Sequence, residues 1–263
     1  MGPLDSAPHV YCNAHAKVHF CNTLIRDFVE RAYNLILNRA SEESGLLDWC
    51  ATICTGAKGG AAIVKSFFDS AEFRNRGLSD SAKLDILYSV MLNRAPDAAK
   101  ADWQAALDSG MTTDRVIWGF AGSAEFKNVC AAYRMTPGTI PLANYRDKNP
   151  GVTMYCARMY VQCLGRAFDV NGLESWCKAI LTKKATPEAV AHGFFTSAEF
   201  VGQNTTNIVY VQRLYQALFG RAADTDGLNS WLSVLAAGRK REAVLNGFLK
   251  SPEYIILKKS FGL

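Results

Sequence analysis

No uninterrupted apolar run in this chain approaches the roughly 18 residues that a membrane crossing requires. Nor does a charged start followed by an apolar stretch read as an export signal. The opening Met1-Gly2-Pro3-Leu4-Asp5-Ser6 reads as a tag remnant, so that second absence carries no weight. Histidine is scarce: four in 263 residues, with only His192 outside the N-terminal forty. No His-Glu-x-x-His, Gly-x-Ser-x-Gly, phosphate-loop or dinucleotide fingerprint occurs, which leaves a histidine-based active site poorly supported. Charge of one sign is also missing, since 29 basic residues face 24 acidic ones for a formal +5. The basic residues are dispersed apart from short clusters such as Lys183-Lys184, Arg239-Lys240-Arg241 and Lys258-Lys259. Nucleic-acid binding asks for a denser stripe, so no nucleic-acid partner is expected.

Cysteine, by contrast, is plentiful. Cys12, Cys21, Cys50, Cys54, Cys130, Cys156, Cys163 and Cys177 form an even set of eight, which favours an oxidising compartment. Cys163 at the end of one helix and Cys177 on the next would staple neighbours. A Cys130–Cys156 bridge would close the long excursion between them. Cys12 and Cys21 would tie the N-terminal segment to Cys50 and Cys54, in either permutation.

The dominant signal is repetition. A Tyr, an Arg six residues on, a Trp about ten further, then a Phe and a Ser-x-Glu-aromatic run recur four times. The anchors are Tyr33/Arg39/Trp49/Phe67/Glu72, Tyr88/Arg94/Trp103/Phe120/Glu125, Tyr160/Arg166/Trp176/Phe194/Glu199 and Tyr215/Arg221/Trp231/Phe248/Glu253. In the last copy, Val211, Leu214, Tyr215 and Leu218 give a first helix with one apolar face, ended by Gly220. Leu228, Trp231, Leu232 and Leu235 mark a second helix, and Val244, Leu245 and Phe248 a third. Ser251-Pro252-Glu253 restarts the chain with an N-cap, a first-turn proline and a dipole-matched carboxylate.

The expected fold is therefore all-α, with four units of about 50–55 residues arranged as two pairs. Residues 1–27 form a tag and N-terminal segment, 28–80 and 81–130 the first pair, and 153–207 and 208–263 the second. Between the pairs lies an insertion or linker at 131–152, rich in turn residues such as Pro137-Gly138 and Asn149-Pro150.

Tyr-x5-Arg, Asp-x-x-Gly-Leu-x-x-Trp (Asp169 to Trp176, Asp224 to Trp231), Gly-Phe and Ser-x-Glu-Phe together resemble the DUF4214 family of bacterial, often extracellular, multidomain proteins. The resemblance covers about residues 28 to 263. Repeat one departs from it, with Ser41-Glu42-Glu43 where the Asp would fall and Ser66 for the small Gly. Repeat two is one residue short between Asp97 and Trp103 and lacks the Gly. The resemblance implies an α-helical unit that accompanies secreted or surface-attached proteins and glycan-related enzymes, with no established chemistry.

The repeated anchors read as scaffold. Arg39, Arg94, Arg166 and Arg221 are expected to pair with Glu72, Glu125, Glu199 and Glu253 or with orphan helix carbonyls, and the Tyr and Trp anchors to pack in the core. Asp224-Thr-Asp226-Gly227 lacks the further ligands of a calcium loop, so turn and N-cap chemistry is expected there. His15 and His19 lie four apart between two cysteines, but their spacing is no standard zinc site; no metal or cofactor is expected, with calcium elsewhere in the loops left open.

Positions where the repeats disagree are more informative about function. Lys65, Trp118, His192 and Asn246 stand two residues before the third-helix Phe in successive copies. Trp118 and His192, with Tyr133, Arg134, Tyr145, Arg146 and Lys148 in or beside the insertion, are the candidate ligand residues. An aromatic face with cationic donors suits a sugar. The expected function is a non-catalytic extracellular or cell-surface module that binds polysaccharide or surface glycan, acidic glycan included. The alternatives are a structural or adhesion module contacting another surface protein, and a carboxylate-dependent glycan-active enzyme.

Overall fold

The computed structural model describes residues 23–263, and all regular structure among them is helical. Cys12, Cys21, His15 and His19 lie outside the described residues, and so does the expected disulfide tie of the N-terminal segment. Repeat one comprises α1 (Thr23–Ala32), α2 (Glu43–Cys54), α3 (Gly60–Phe68) and the short α4 (Ala71–Asn75). Repeat two comprises α5 (Asp80–Leu87), α6 (Lys100–Asp108), α7 (Thr113–Gly122) and α8 (Ala124–Ala132), followed by α9 (Tyr145–Lys148) in the insertion. Repeat three is α10 (Pro150–Arg158), α11 (Val170–Leu181), α12 (Pro187–Phe195) and α13 (Ala198–Gly202). Repeat four is α14 (Asn207–Leu214), α15 (Thr225–Ala236), α16 (Arg241–Leu249) and α17 (Pro252–Ser260).

The first helix of every repeat widens at its end into a π-helical turn that begins with the anchor Tyr or, in repeat three, the residue before it: Tyr33–Leu37, Tyr88–Leu92, Met159–Leu164 and Tyr215–Phe219. Each turn stops on a left-handed residue, Asn38 (φ 58°), Asn93 (φ 56°), Gly165 (φ 73°) or Gly220 (φ 76°). Glycine and asparagine are the residues that adopt this conformation most readily, which explains the Asn-Arg and Gly-Arg pairs. In repeat three the Arg166 N–H reaches back 3.2 Å to the Tyr160 carbonyl and satisfies one of the helix's orphan acceptors.

Around that turn a Tyr–Phe–Trp triad recurs, with the Tyr and Phe buried and the Trp half-buried. The anchor Tyr meets the third-helix Phe edge-on at 4.8–5.1 Å, and the second-helix Trp lies 5.1–5.5 Å from the same ring. Serine caps the fourth helix, Oγ accepting from the N–H three residues on: Ser70 from Phe73, Ser123 from Phe126, Ser197 from Phe200 and Ser251 from Tyr254. The Asp-x-x-Gly glycine has a steric cause. A Cβ at Gly172 or Gly227 would sit 2.1 Å from the hydroxyl of Tyr160 or Tyr215, and one at Gly45 would sit 2.4 Å from that of Tyr33. Repeat two, without the glycine, drops a residue, and Asp97 caps the N–H of Ala99 two residues on rather than three.

The described chain divides into two compact units. One runs to Gln104 and includes Thr113–Leu142; the other holds Ala105–Thr112 and Ala143–Leu263. The first half of the insertion is part of the first unit's packing. Thr136 and Pro137 carbonyls accept from the first N–H groups of α3, Gly60 and Ala61, at 2.9 Å each. Gly138 lies so close that a Cβ on Gly59 would fall 2.9 Å from its Cα, so neither position admits a side chain without movement.

The disulfide expectations need correction. No bridge joins Cys130, Cys156, Cys163 or Cys177 to one another. Cys130 packs at the start of α3, and burial pushes its thiol up to about 12. The thiol that meets Cys177 is Cys156, not Cys163, because position 156 is one of the core-facing positions of α10 while Cys163 falls in the π turn beyond it.

The left-handed turn residue gives a direct test. Asn93→Gly should leave the urea midpoint unchanged or raise it, since glycine occupies the same place in repeats three and four, whereas Asn93→Val should cost about 1–2 kcal/mol.

Candidate binding clefts

The four anchor arginines are fully engaged by the scaffold. Arg39, Arg94, Arg166 and Arg221 each grip a carboxylate of the fourth helix with Nε and Nη2: Glu72 (2.6 and 3.0 Å), Glu125 (2.5 and 3.3 Å), Glu199 (2.5 and 2.9 Å) and Glu253 (2.5 and 3.1 Å). Nη1 donates to the next residue's carbonyl and faces a second acid, Glu42, Asp97, Asp169 or Asp224. Each guanidinium also lies 4.9–5.1 Å over the anchor Tyr ring. Little of the five-donor fork is left for a ligand. Repeat one thus fills the missing Asp position with Glu42, which also accepts from the Tyr33 hydroxyl at 3.2 Å.

The insertion residues are pinned as well. Glu174 of α11 accepts from the backbone N–H of Tyr145 (2.7 Å) and Arg146 (3.1 Å), and Arg146 itself donates to the Gly110 carbonyl at 2.9 Å. Asp147 is wholly buried and accepts from the Thr112 N–H, the Thr112 hydroxyl and Asn144 at 2.7, 2.8 and 3.1 Å. Lys148 stacks 4.0 Å over the half-buried Tyr145 ring. Tyr133 packs edge-on against Phe28 at 5.4 Å, and exposed Arg134 takes the left-handed conformation (φ 55°) that ends α8. Trp118 is 41% exposed, with the Arg115 guanidinium 4.6 Å from its ring.

The variable position divides by repeat. Adding 127 to a residue number carries repeat one and the first helix of repeat two onto their counterparts in unit two (Tyr33 to Tyr160, Arg39 to Arg166, Lys65 to His192, Tyr88 to Tyr215). From the second helix of repeat two onward the shift is 128 (Trp103 to Trp231, Asp114 to Glu242, Phe120 to Phe248). Under that shift two contacts coincide: Lys65 holds Asp114 at 2.8 Å, and His192 meets Glu242 at 3.3 Å. Lys65 and His192 therefore make the bridge from one repeat to the next. Trp118 and Asn246, at the same position of the even repeats, do not.

Beside that bridge each unit carries a cleft, and the two clefts are built from equivalent positions. In unit two a cavity of about 470 Å³ is floored by Phe195, Phe200, Tyr210 and Leu245. Its rim is formed by Thr196, Val201, Asn204, Thr205, Arg241 and Glu242. In unit one Phe68, Phe73, Leu78 and Lys83 line a cavity of about 290 Å³ rimmed by Asp69, Arg74 and Thr113. Phe68, Phe73 and Lys83 map onto Phe195, Phe200 and Tyr210 by the 127-residue shift, and Thr113 onto Arg241 by 128. The unit-two rim is rigid. Arg241 donates to Asn207 Oδ1 (3.0 Å), to Thr205 Oγ1 (3.2 Å) and to the Thr205 carbonyl, and its guanidinium lies 4.8 Å over Tyr210. Tyr210 returns a hydrogen bond to the Arg241 carbonyl at 2.8 Å, and burial raises its phenol above the ordinary range.

A third groove in unit two is lined by Met154, Val161 and Phe168 among others. The matching positions in unit one are Asp27, Asn34 and Ser41, and Ser41 is bound to Glu30 at 2.6 Å. None of the seven residues singled out from sequence lines either recurring cleft; His192 comes nearest, through Glu242. The cleft residues could have been found by aligning the chain pair on pair, which places the Phe67-Phe68 and Phe194-Phe195 doublets together.

Against known proteins, the sequence profile described as "Domain of unknown function (DUF4214)" matches four times, at residues 11–77, 64–130, 143–204 and 201–257. The chain belongs to the DUF4214 family. No curated protein and no solved structure matches it. The four DUF4214 matches follow the four Arg clamps in order, and the gap between the second and third falls in the insertion.

The clamps carry a pH signature. The Arg partners hold the Glu42, Glu72 and Glu199 carboxyls below their ordinary range, and the Gly227 N–H followed by Arg221 does the same for Asp224. A depressed carboxylate stabilises the fold fully above its unfolded value, about 4.3 for Glu, and loses that contribution as pH falls through the folded value. Melting temperature should therefore decline below about pH 4.3, and Glu199→Gln should melt lower than the parent at pH 7 with a shallower decline below it.

Proposed function

We propose that this chain is a non-catalytic binding module for polysaccharide, secreted or displayed at a cell surface, and that each junction cleft accepts one unit of the polymer. The recurring cleft carries the reading. A sugar presents an apolar ring face and a circle of hydroxyls, and an aromatic floor beneath a rim of fixed donors and acceptors complements both. Arg241 is oriented before any ligand arrives, which lowers the ordering cost of binding. Two equivalent sites on one chain favour a ligand that repeats, because the second contact is then intramolecular. Acidic glycans are the finer proposal for unit one, where Arg74 and Lys83 border the cleft. The reading invokes no cofactor.

A second reading, an adhesion module for another surface protein, draws support from apolar side chains left in solvent near the unit-two cleft: Val201 at 62% exposure and Ile208 at 50%. A protein partner would use those residues, whereas a sugar would depend on the floor.

Affinity electrophoresis against neutral and acidic plant and microbial polysaccharides separates these outcomes. The parent chain should be retarded by at least one polymer. Asp69→Trp or Thr196→Trp, each filling one cleft from its exposed rim, should weaken retention, and the double substitution should reduce it about 10-fold or more. A folded parent retarded by none of the gels, or retardation unchanged in the double variant, would contradict the proposal.

A further inference from the structure

Repeat three holds an arrangement that the binding role does not use. Cys156 on α10 and Cys177 on α11 are both fully buried, and their thiols face each other where the two helices pack. Thr153, one turn before Cys156, lies with its Oγ1 3.5 Å from the Cys177 sulfur, which fixes Cys177 against that turn of α10. No other repeat carries cysteine at both positions. The equivalents of Cys156 are Val29, Leu84 and Val211, and the Trp anchor is followed by Cys50, Gln104, Cys177 and Leu232. Three copies therefore show that the fold does not need a thiol at position 156, so the coincidence of two thiols in repeat three calls for a chemical role.

We infer that Cys156 and Cys177 are a disulfide-forming pair, closed when the chain folds in the presence of a small-molecule disulfide oxidant, and that the bridge staples the first two helices of repeat three. Cys177, as thiolate, attacks one sulfur of the oxidant; a mixed disulfide forms and one small thiolate leaves and takes up a proton. Cys156, deprotonated in turn, attacks the protein sulfur of that mixed disulfide, and the second small thiol departs. Two electrons have passed from the protein sulfurs to the oxidant, and the two thiol protons end on the released thiols. Burial of both sulfurs places the step before α10 and α11 have closed on each other.

The sequence makes the test unambiguous, because trypsin isolates each relevant cysteine. Cys130 falls in peptide 128–134, Cys156 in 149–158, Cys163 in 159–166 and Cys177 in 167–178. The full chain would be refolded with oxidised and reduced glutathione, alkylated in denaturant and mapped without reduction. Peptides 149–158 and 167–178 should appear joined, about 2 Da lighter than the sum of the free thiol forms, and should separate on reduction. Cys156→Val, which copies repeats one and four, should yield 167–178 without a link to 149–158 or 159–166. Recovery of 149–158 and 167–178 from the folded parent as singly alkylated peptides, or of 167–178 joined to 159–166, would overturn the assignment.

Discussion

The interaction on which everything else rests is the arginine clamp at the left-handed turn. A helix that ends in a π turn must dispose of unsatisfied carbonyls and reverse the chain within two residues. The αL residue turns the chain, and the next residue, always Arg, lies across the anchor Tyr while its guanidinium ties the fourth helix to the turn before the second. These pairs are substantially exposed, so each is individually modest. Their value is geometric: a bidentate, stacked guanidinium has one orientation, and lysine could not reproduce it. Fixing the fourth helix in this way sets where the following repeat begins, and hence where the junction cleft opens.

The departures between copies show which parts of the motif are interchangeable. Glu42 replaces Asp at the clamp because its longer side chain still reaches both Arg39 and Tyr33. Repeat two shortens its turn once the glycine under the tyrosine hydroxyl is gone. In the core, Tyr155 and Tyr254 bond through their hydroxyls at 2.8 Å and Tyr155 donates to Pro187, where unit one has Phe28 and Phe126. Either solution leaves no buried polar atom unmatched at that place, one by pairing two hydroxyls and the other by removing them.

Much of the scaffold was legible in the sequence because it depends on local rules: helical spacing, serine caps, glycine or asparagine at a left-handed turn, and an acid placed to meet a recurring Arg. The clefts were not legible, because they arise between repeats. Phe195 and Phe200 look like core residues of one copy, and only the packing of Tyr210 and Arg241 from the next turns them into a floor. The insertion residues also meet partners that lie far away in sequence. Tyr145, Arg146 and Lys148 have the composition of a binding loop, yet Glu174 holds the backbone N–H groups of Tyr145 and Arg146, Gly110 accepts from the Arg146 side chain, and Lys148 stacks on Tyr145. The cysteines failed on helical phase: Cys163 is nearer to Cys177 in sequence, but Cys156 meets it in space.

The chain therefore separates into what is repeated, which holds the fold, and what is built where two repeats meet, which forms the clefts proposed as binding sites. Amide hydrogen exchange on Arg221→Met examines that separation most directly, since the substitution keeps the stem over Tyr215 and removes the donors. The account predicts faster exchange through the Tyr215–Phe219 turn and α17, with protection in repeats one and two unchanged. Unaltered exchange at the turn and at α17 would contradict it, because the clamp would then not hold the scaffold and the four arginines would need another purpose.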